Sequence, residues 1–404
     1  MIENFEYYDY KTPISEDINQ AGAEFPIIAY NEDIVTQPHK SLLVINGTLG
    51  VYIKNEANKY DPLLAIDTSK IDFVNNGILN IFDRIDYFVG DNKIDSIRKP
   101  GVATTIKGLA SFKPNKAYNL AGWNMYENSK SLINDKGHFT VVIPMALIMG
   151  FFEDFKKFLY RIPQKLIFYR STGSYNNCFI SNNVTYKVNL NLKEIVWRIP
   201  QVKFSLAYET QVRKEIIKNT NYELLFPHWL YQSISPPRGT TDYTWDVPVS
   251  YAKTKYILLA FQQDRFDRLD SDNSRFDLLD LENVQVLLNN NIYYPRERLN
   301  LKFSENRCGN LYEMFKAFRN SYYYEPNVYN DDDRLVDYKT FLDHYPVIVV
   351  DCSHQPSVIK ESLINIKILF NWRAALTSDN VTIHCVMIMD QKAVYNPLNN
   401  RVLH

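Results

Sequence analysis

The run Asp351-Cys352-Ser353-His354 sets a thiol two residues from an imidazole, the ingredients of a Cys/His nucleophile. On a strand, residues i and i+2 share one face, but no third group orients the imidazole and no glycine-bearing turn precedes the cysteine. A structural cysteine at a strand end accounts for the run. Cys352, His354, His384 and Cys385 together hold the donor types of a zinc site. His384 and Cys385 are adjacent, so an extended backbone turns them to opposite faces. No catalytic, cofactor or metal residue is therefore assigned. All four cysteines, Cys178, Cys308, Cys352 and Cys385, lack a CxxC partner and are expected as reduced, buried thiols.

Four charged or aromatic groupings remain. Asp264, Asp267, Asp270, Asp272 and Asp277 alternate with Arg265, Arg268 and Arg275, and Asp331 to Asp333 form a short acidic run. Neither segment has the glycine of a tight calcium loop, so both read as solvated loops, with salt bridges across a subunit boundary as the alternative. Lys156, Lys157, Arg161, Lys165 and Arg170 read as a solvated helix face, or as a weak contact to nucleic acid. Trp229, Tyr243 and Trp245, close to Pro236-Pro237, could stack sugars if exposed, or serve as core and interface anchors.

These residues need a scaffold, and the scaffold reads as all-β. Aromatics make up 14% of the chain, with 29 Tyr and 23 Phe, a load suited to pleated surfaces. Val184, Tyr186, Val188, Leu190 and Leu192 alternate with polar residues, then the parity slips to Ile195, Trp197 and Ile199. A β-bulge near Glu194 would absorb that slip. Ile364 to Phe370 alternates similarly, and Val381 to Met389 is apolar on both faces. Shorter strands are expected at Ser41–Ile53, Phe139–Ile143, Lys165–Arg170, Tyr256–Phe261, Val284–Leu288 and Val347–Asp351. Helical stripes cover Leu147 to Leu159 and Leu311 to Tyr322, with a looser helix at Val102 to Ser111.

Each of the first two helices precedes a proline and an apolar strand. Pro163 and Pro346 stand 183 residues apart, near half of the 404 residues. Two similar β domains, 1–205 and 206–404, are expected, joined near Phe204 to Thr220. Evenly spaced strands in units of that size suggest jelly rolls.

The net charge is −1, and residues 1–16 carry Glu3, Glu6, Asp9 and Glu16 against Lys11. Tight genome coating by a basic arm is therefore not expected. The polar, acidic start is not a secretory signal and no run is long enough to span a membrane, so cytosolic synthesis is expected. The sequons at Asn46, Asn183 and Asn380 then read as chance matches.

Gly150-Phe-Phe-Glu-Asp-Phe155 running on to Pro163-Gln-Lys-Leu-Ile-Phe-Tyr-Arg170, with Ile195-Val-Trp-Arg-Ile-Pro200, resembles the first jelly roll of the major capsid proteins of Polinton (Maverick) elements and related adintoviruses. The second half adds Lys255-Tyr-Ile-Leu-Leu-Ala-Phe-Gln262, Leu288-Asn289 with Tyr294-Pro295, Leu311-Tyr-Glu-Met314 with Ser321-Tyr-Tyr323, Asp351-Cys-Ser353 with Gln355, and Tyr395-Asn-Pro-Leu398. The series runs from about Phe73 to the C-terminus, and the first seventy residues match poorly. Where the family often has Arg or Lys, His and Pro, this chain has His354, Met389 and Thr254.

The resemblance implies two tandem eight-stranded jelly rolls with short helices in loops, and a structural protein without enzymatic activity or cofactor. It implies a homotrimer that builds pseudo-hexameric capsomers of an icosahedral shell. A single jelly-roll penton protein would be a partner, contact with double-stranded DNA would be weak, and no small molecule would be a substrate. The protein would reside in the virion after synthesis in the host cytoplasm and assembly in cytoplasm or nucleus. The competing readings are a lectin-like carbohydrate-binding β-sandwich and, further off, a jelly-roll enzyme, whose clustered metal-ligating histidines are not visible in the sequence.

Overall fold

The structure, a computed structural model, describes residues 2–13, 16–30, 35–55, 59–123, 125, 130–183, 185–218, 221–248, 254–289, 291–325, 334–353, 365–396 and 401–403. The first half contributes β1 (Ile2–Lys11), β2 (Glu24–Ala29), β3 (Leu42–Lys54), β4 (Phe82–Val89), β5 (Asn92–Arg98), β6 (His138–Pro144), β7 (Gln164–Arg170) and β8 (Tyr186–Phe204). The second contributes β9 (Tyr222–Ile234), β10 (Asp242–Val247), β11 (Thr254–Gln263), β12 (Leu281–Leu288), β13 (Asn291–Tyr294), β14 (Ile348–Asp351), β15 (Ile366–Trp372) and β16 (Val381–Asn396).

Both halves are wired alike. In the first, β1-β8-β3-β6 and β2-β7-β4-β5 form the two facing sheets; in the second, β9-β16-β11-β14 and β10-β15-β12-β13 do so. Each half therefore orders its strands 1-8-3-6 and 2-7-4-5, all antiparallel, which is the wiring of a jelly roll. Short strands such as Val35–Thr36 and Tyr60–Pro62 widen the first sheet.

The period-2 segments become the central strands. β8 is continuous, and its register against β3 shifts between Leu192 and Glu194. The bulge lets Val188, Leu190 and Leu192 before it, and Trp197 and Ile199 after it, all face the core. β16 is buried on both faces from Ile383 to Met389. Ile383 pairs with the core residue Phe261, so His384, Val386 and Ile388 face outward, beneath a covering layer.

That layer corrects the all-β expectation, because helices carry it. Five α-helices occur among the described residues: α1 (Pro100–Ser111), α2 (Gly150–Asp154), α3 (Leu206–Ile217), α4 (Gly309–Tyr323) and α5 (Tyr338–Asp343). In α1 all but one residue is buried, as befits a helix packed on every side. Thr104, Thr105 and Ser111 donate their hydroxyls to carbonyls four residues back, which satisfies them without water. α4 lays Phe318 and Tyr322 on Tyr256 of β11. The outer face of the second half's sheet is apolar and needs this cover, whereas the first half's is solvated at Lys187, Asn189 and Asn191.

Two further expectations are corrected. The helix expected over Leu147 to Leu159 stops at Asp154, where the chain turns outward and Leu159–Tyr160 becomes a short strand. The 183-residue repeat pairs the wrong elements. β7, after Pro163, is the seventh strand of its half, while β14, after Pro346, is the sixth. Matching strands such as β4 and β12, or β7 and β15, lie about 200 residues apart.

Candidate functional site

The sequence candidates for chemistry do not converge. Cys352 is buried and its thiol is pushed up by burial and by Asp351, against a thiolate role; His354 lies outside the described residues. Cys178 is pushed up to about 12 by burial, and Cys308 and Cys385 are buried too. Cys385 and His384 point to opposite faces of β16. His384 is fixed as a neutral tautomer: Gln262 spends its amide N–H on the Asn273 and Arg275 carbonyls, so its Oε1 accepts from His384 Nε2 at 3.0 Å. The other ring nitrogen then accepts from Tyr231 Oη at 2.7 Å. Burial lowers the imidazole pKa to about 3. Among the described residues no group of three or more His, Cys, Asp or Glu could hold a metal ion.

The Asp/Arg loop satisfies itself. Asp270 pairs with Arg268, Asp272 with Arg275, and Asp277 with Arg265. Asp264 accepts from Ser378 at 2.7 Å and Asn380 at 3.1 Å. Asp267 reaches across to Ser174 and Asn176 of the first half, so this loop bridges halves of one chain. Asp331 to Asp333 lie outside the described residues.

The basic grouping is not one face. Arg170 is buried, its guanidinium donating to the Ile81 carbonyl at 2.6 Å; Arg161 pairs with Glu209 at 2.9 Å; Lys156 and Lys157 are exposed. Trp229 and Trp245 are only 2% and 3% exposed, so they form no sugar-stacking platform.

What the fold does build is a seam between its two halves. α2 sits against β9 so closely that a Cβ on Gly150 would stand 1.7 Å from the Pro227 carbonyl oxygen. Phe151 meets Phe226 edge-on at 5.1 Å. One oxygen of Asp95, on β5, lies 2.7 Å from His228 Nδ1, and the other accepts the Phe151 amide N–H at 3.0 Å. Further along, Asn75 donates to Tyr345 at 2.7 Å, and Arg319 of α4 donates to the Ser111 carbonyl at the end of α1.

At the centre stands Lys107, fully buried on α1. Its ammonium donates to Glu153 of α2 and, at 3.1 Å, to Tyr323 of α4. Rings of Trp229, Tyr322 and Phe112 lie 4.5, 4.9 and 5.5 Å from it, a cation–π cage. Glu153 accepts two further bonds of 2.5 Å, from the Tyr322 and Tyr323 hydroxyls. Burial lowers the Lys107 pKa while Glu153 opposes the shift, and burial beside Glu153 pushes both phenols up. A cleft of about 310 Å³ opens here. Its carboxylate Glu153 already accepts three donors, so the arrangement clamps two half-chains together.

Sequence reasoning missed this seam. The one signal was Lys107 as the sole charge in a helix of otherwise apolar and small hydroxyl residues. Nothing local marks Asp95 and His228 as partners.

The sequence matches the family model "Double jelly roll-like domain" over residues 71–393. No curated protein matches it. Among solved structures, the chain is similar to one in the 3.5 Å cryo-EM structure of the Sputnik virophage, with TM-score 0.62 and 11% identity over 100% of this chain and 88% of that one. The mavirus major capsid protein gives TM-score 0.59 and 9% identity, over 98% and 89%. The Faustovirus major capsid protein gives 0.58 and 7%, over 96% and 90%.

Proposed function

Because the chain belongs to the double jelly-roll-like domain family, we propose that it is a major capsid protein whose role is to build a shell and not to catalyse a reaction. One observation carries this reading. A single chain folds two jelly rolls of identical strand order and welds them side by side across a buried seam, and that whole architecture runs the length of the mavirus and Faustovirus major capsid proteins.

The physical logic is assembly. Each chain supplies two blocks, divided as 1–205 and 206–404, with α3 at the junction. Three copies meeting head to tail close a ring of six blocks, since a heterologous contact closes when its rotation allows. Permanent interfaces of this kind bury on the order of 2,000–5,000 Å². Weaker contacts between capsomers, repeated many times, hold the shell while letting misplaced units leave. A single jelly-roll penton protein would fill the fivefold vertices. Contact with double-stranded DNA would be weak, because the basic grouping around α2 is split between buried and exposed sites. The virion is the proposed location, after synthesis in the host cytoplasm and assembly there or in the nucleus. The burial of Trp229 and Trp245 removes the platform that a carbohydrate-binding reading would need.

Native mass measurement and electron microscopy of the purified protein test this. Expected are particles of three times the 47.4 kDa chain, with hexagonal outline. Monomer alone at high micromolar concentration overturns it.

A further inference from the structure

β1 is a strand on which almost nothing is buried. Ile2, Phe5, Tyr7 and Tyr8 are 49%, 37%, 46% and 46% exposed. The strand is held by its ladder to Val196–Phe204, by the Asp9–Arg198 and Lys11–Glu194 ion pairs, and by Gln201 donating to Tyr10 at 2.6 Å. Phe5 and Tyr7 pair with Val202 and Pro200 and share one face, their rings 5.7 Å apart. Tyr8 pairs with the core residue Ile199 and takes the other. An apolar sheet edge exposed on both faces marks an interaction surface.

The chain itself shows how such a strand becomes covered. β9 is the first strand of the second half, and Tyr222–Leu230 pairs with Met387–Tyr395 of the last strand β16, just as β1 pairs with the end of β8. On β9, however, Leu224, Phe226 and Trp229 are buried. On the face of Leu224 and Phe226 the cover comes from the preceding jelly roll, whose β5 flank supplies Asp95 to His228 and whose α2 supplies Phe151 to Phe226, while Trp229 on the other face is capped by Lys107 of α1 and Tyr322 of α4. One position in the repeat thus has two fates, clamped in the second half and bare in the first.

The second half owns the matching flank. β13 holds there the place that β5 holds in the first half, and the chain leaving β13 exposes Arg296, Glu297 and Arg298, a net charge of +1. β1 exposes Glu3 and Glu6. The charges are opposite, as a contact between these surfaces requires.

The geometry points to β1 as the docking strand for the β13 flank of a second copy of this chain, repeating between chains the contact that β9 makes with the β5 flank within one. This rests on the capsid reading for the second copy and adds which surfaces meet. The contact is heterologous, so β1 of one copy and the β13 flank of the next form a head-to-tail series.

Sedimentation velocity of the full chain over a concentration series tests it. The wild type should trimerise. Phe5→Glu with Tyr7→Glu should leave the far-UV spectrum unchanged, and the melting midpoint too when both proteins are dilute enough to be monomeric, and should raise the concentration needed for trimer by about tenfold or more. Glu3→Arg with Glu6→Arg should also weaken assembly, and adding Arg296→Glu with Arg298→Glu should restore it. Variants that trimerise like the wild type, or a charge swap that fails to restore assembly, overturn the inference and leave the capsid reading standing. A wild type that stays monomeric overturns both.

Discussion

Asp95 and His228 stand 133 residues apart in the chain and 2.7 Å apart in the fold, one on each side of the seam. Asp95 also accepts the Phe151 amide, so one buried carboxylate holds β5, α2 and β9 together. Removing the carboxylate takes the buried partner from both the His228 ring and the Phe151 amide, at a cost of about 1–3 kcal/mol for each group left unsatisfied. Asp95→Ala should therefore lower the apparent melting temperature by several degrees in a calorimetric scan. An unchanged scan would show that the seam does not depend on this pair.

Lys107 and Glu153 allow a sharper comparison. Glu153→Leu alone leaves a buried ammonium with only phenols and rings, and should cost about 3 kcal/mol or more. Lys107→Met combined with Glu153→Leu removes both charges at similar volume and should recover most of that loss. Denaturant titration of the two single variants and the double closes the cycle. Additive losses would mean that the two groups do not act as a pair.

His384 predicts an acid limb. Its folded-state pKa of about 3 lies below the usual 6.5, so between these values the unfolded chain takes up a proton that the folded chain refuses. Stability should fall as the pH drops through 6.5, with no contribution from this group above it and no further loss below 3. The slope is about 1.4 kcal/mol per pH unit, or about 2 kcal/mol between pH 7 and 5. His384→Gln should flatten that part of the profile in denaturant titrations at the two pH values. An equally steep profile would assign the acid limb to other groups.

Gly150 has no room for a methyl group, because the obstacle is the backbone carbonyl of Pro227. Gly150→Ala must push α2 off β9, at a cost at the upper end of the ~1–3 kcal/mol typical of overpacking. Limited proteolysis should then cut faster near α3, between the halves. A wild-type cleavage rate would mean that the seam relaxes locally.

Much of this architecture was legible along the chain. Alternation located β8 and a bulge near Glu194, which falls between Leu192 and Glu194, the two-sided apolarity of Val381 to Met389 announced a covered strand, and the stripe from Leu311 to Tyr322 became α4. These are local signals, because a strand writes its two faces in every second residue and a helix its buried stripe every three or four. The duplication was legible as well, but not its register, since Pro163 and Pro346 precede strands of different rank. The resemblance to capsid proteins rested on ordered short motifs and found its match in the fold.

Tertiary structure alone decided the rest. Lys107, Glu153, Tyr322 and Tyr323 come from three helices, and Asp95 meets His228 only because one jelly roll is pressed against the next. Burial turned Arg170, Trp229 and Trp245 from surface candidates into core, and left Phe5 and Tyr7 of β1 in solvent. No spacing encodes these outcomes, because exposure and pairing depend on which surfaces meet once both sandwiches have closed.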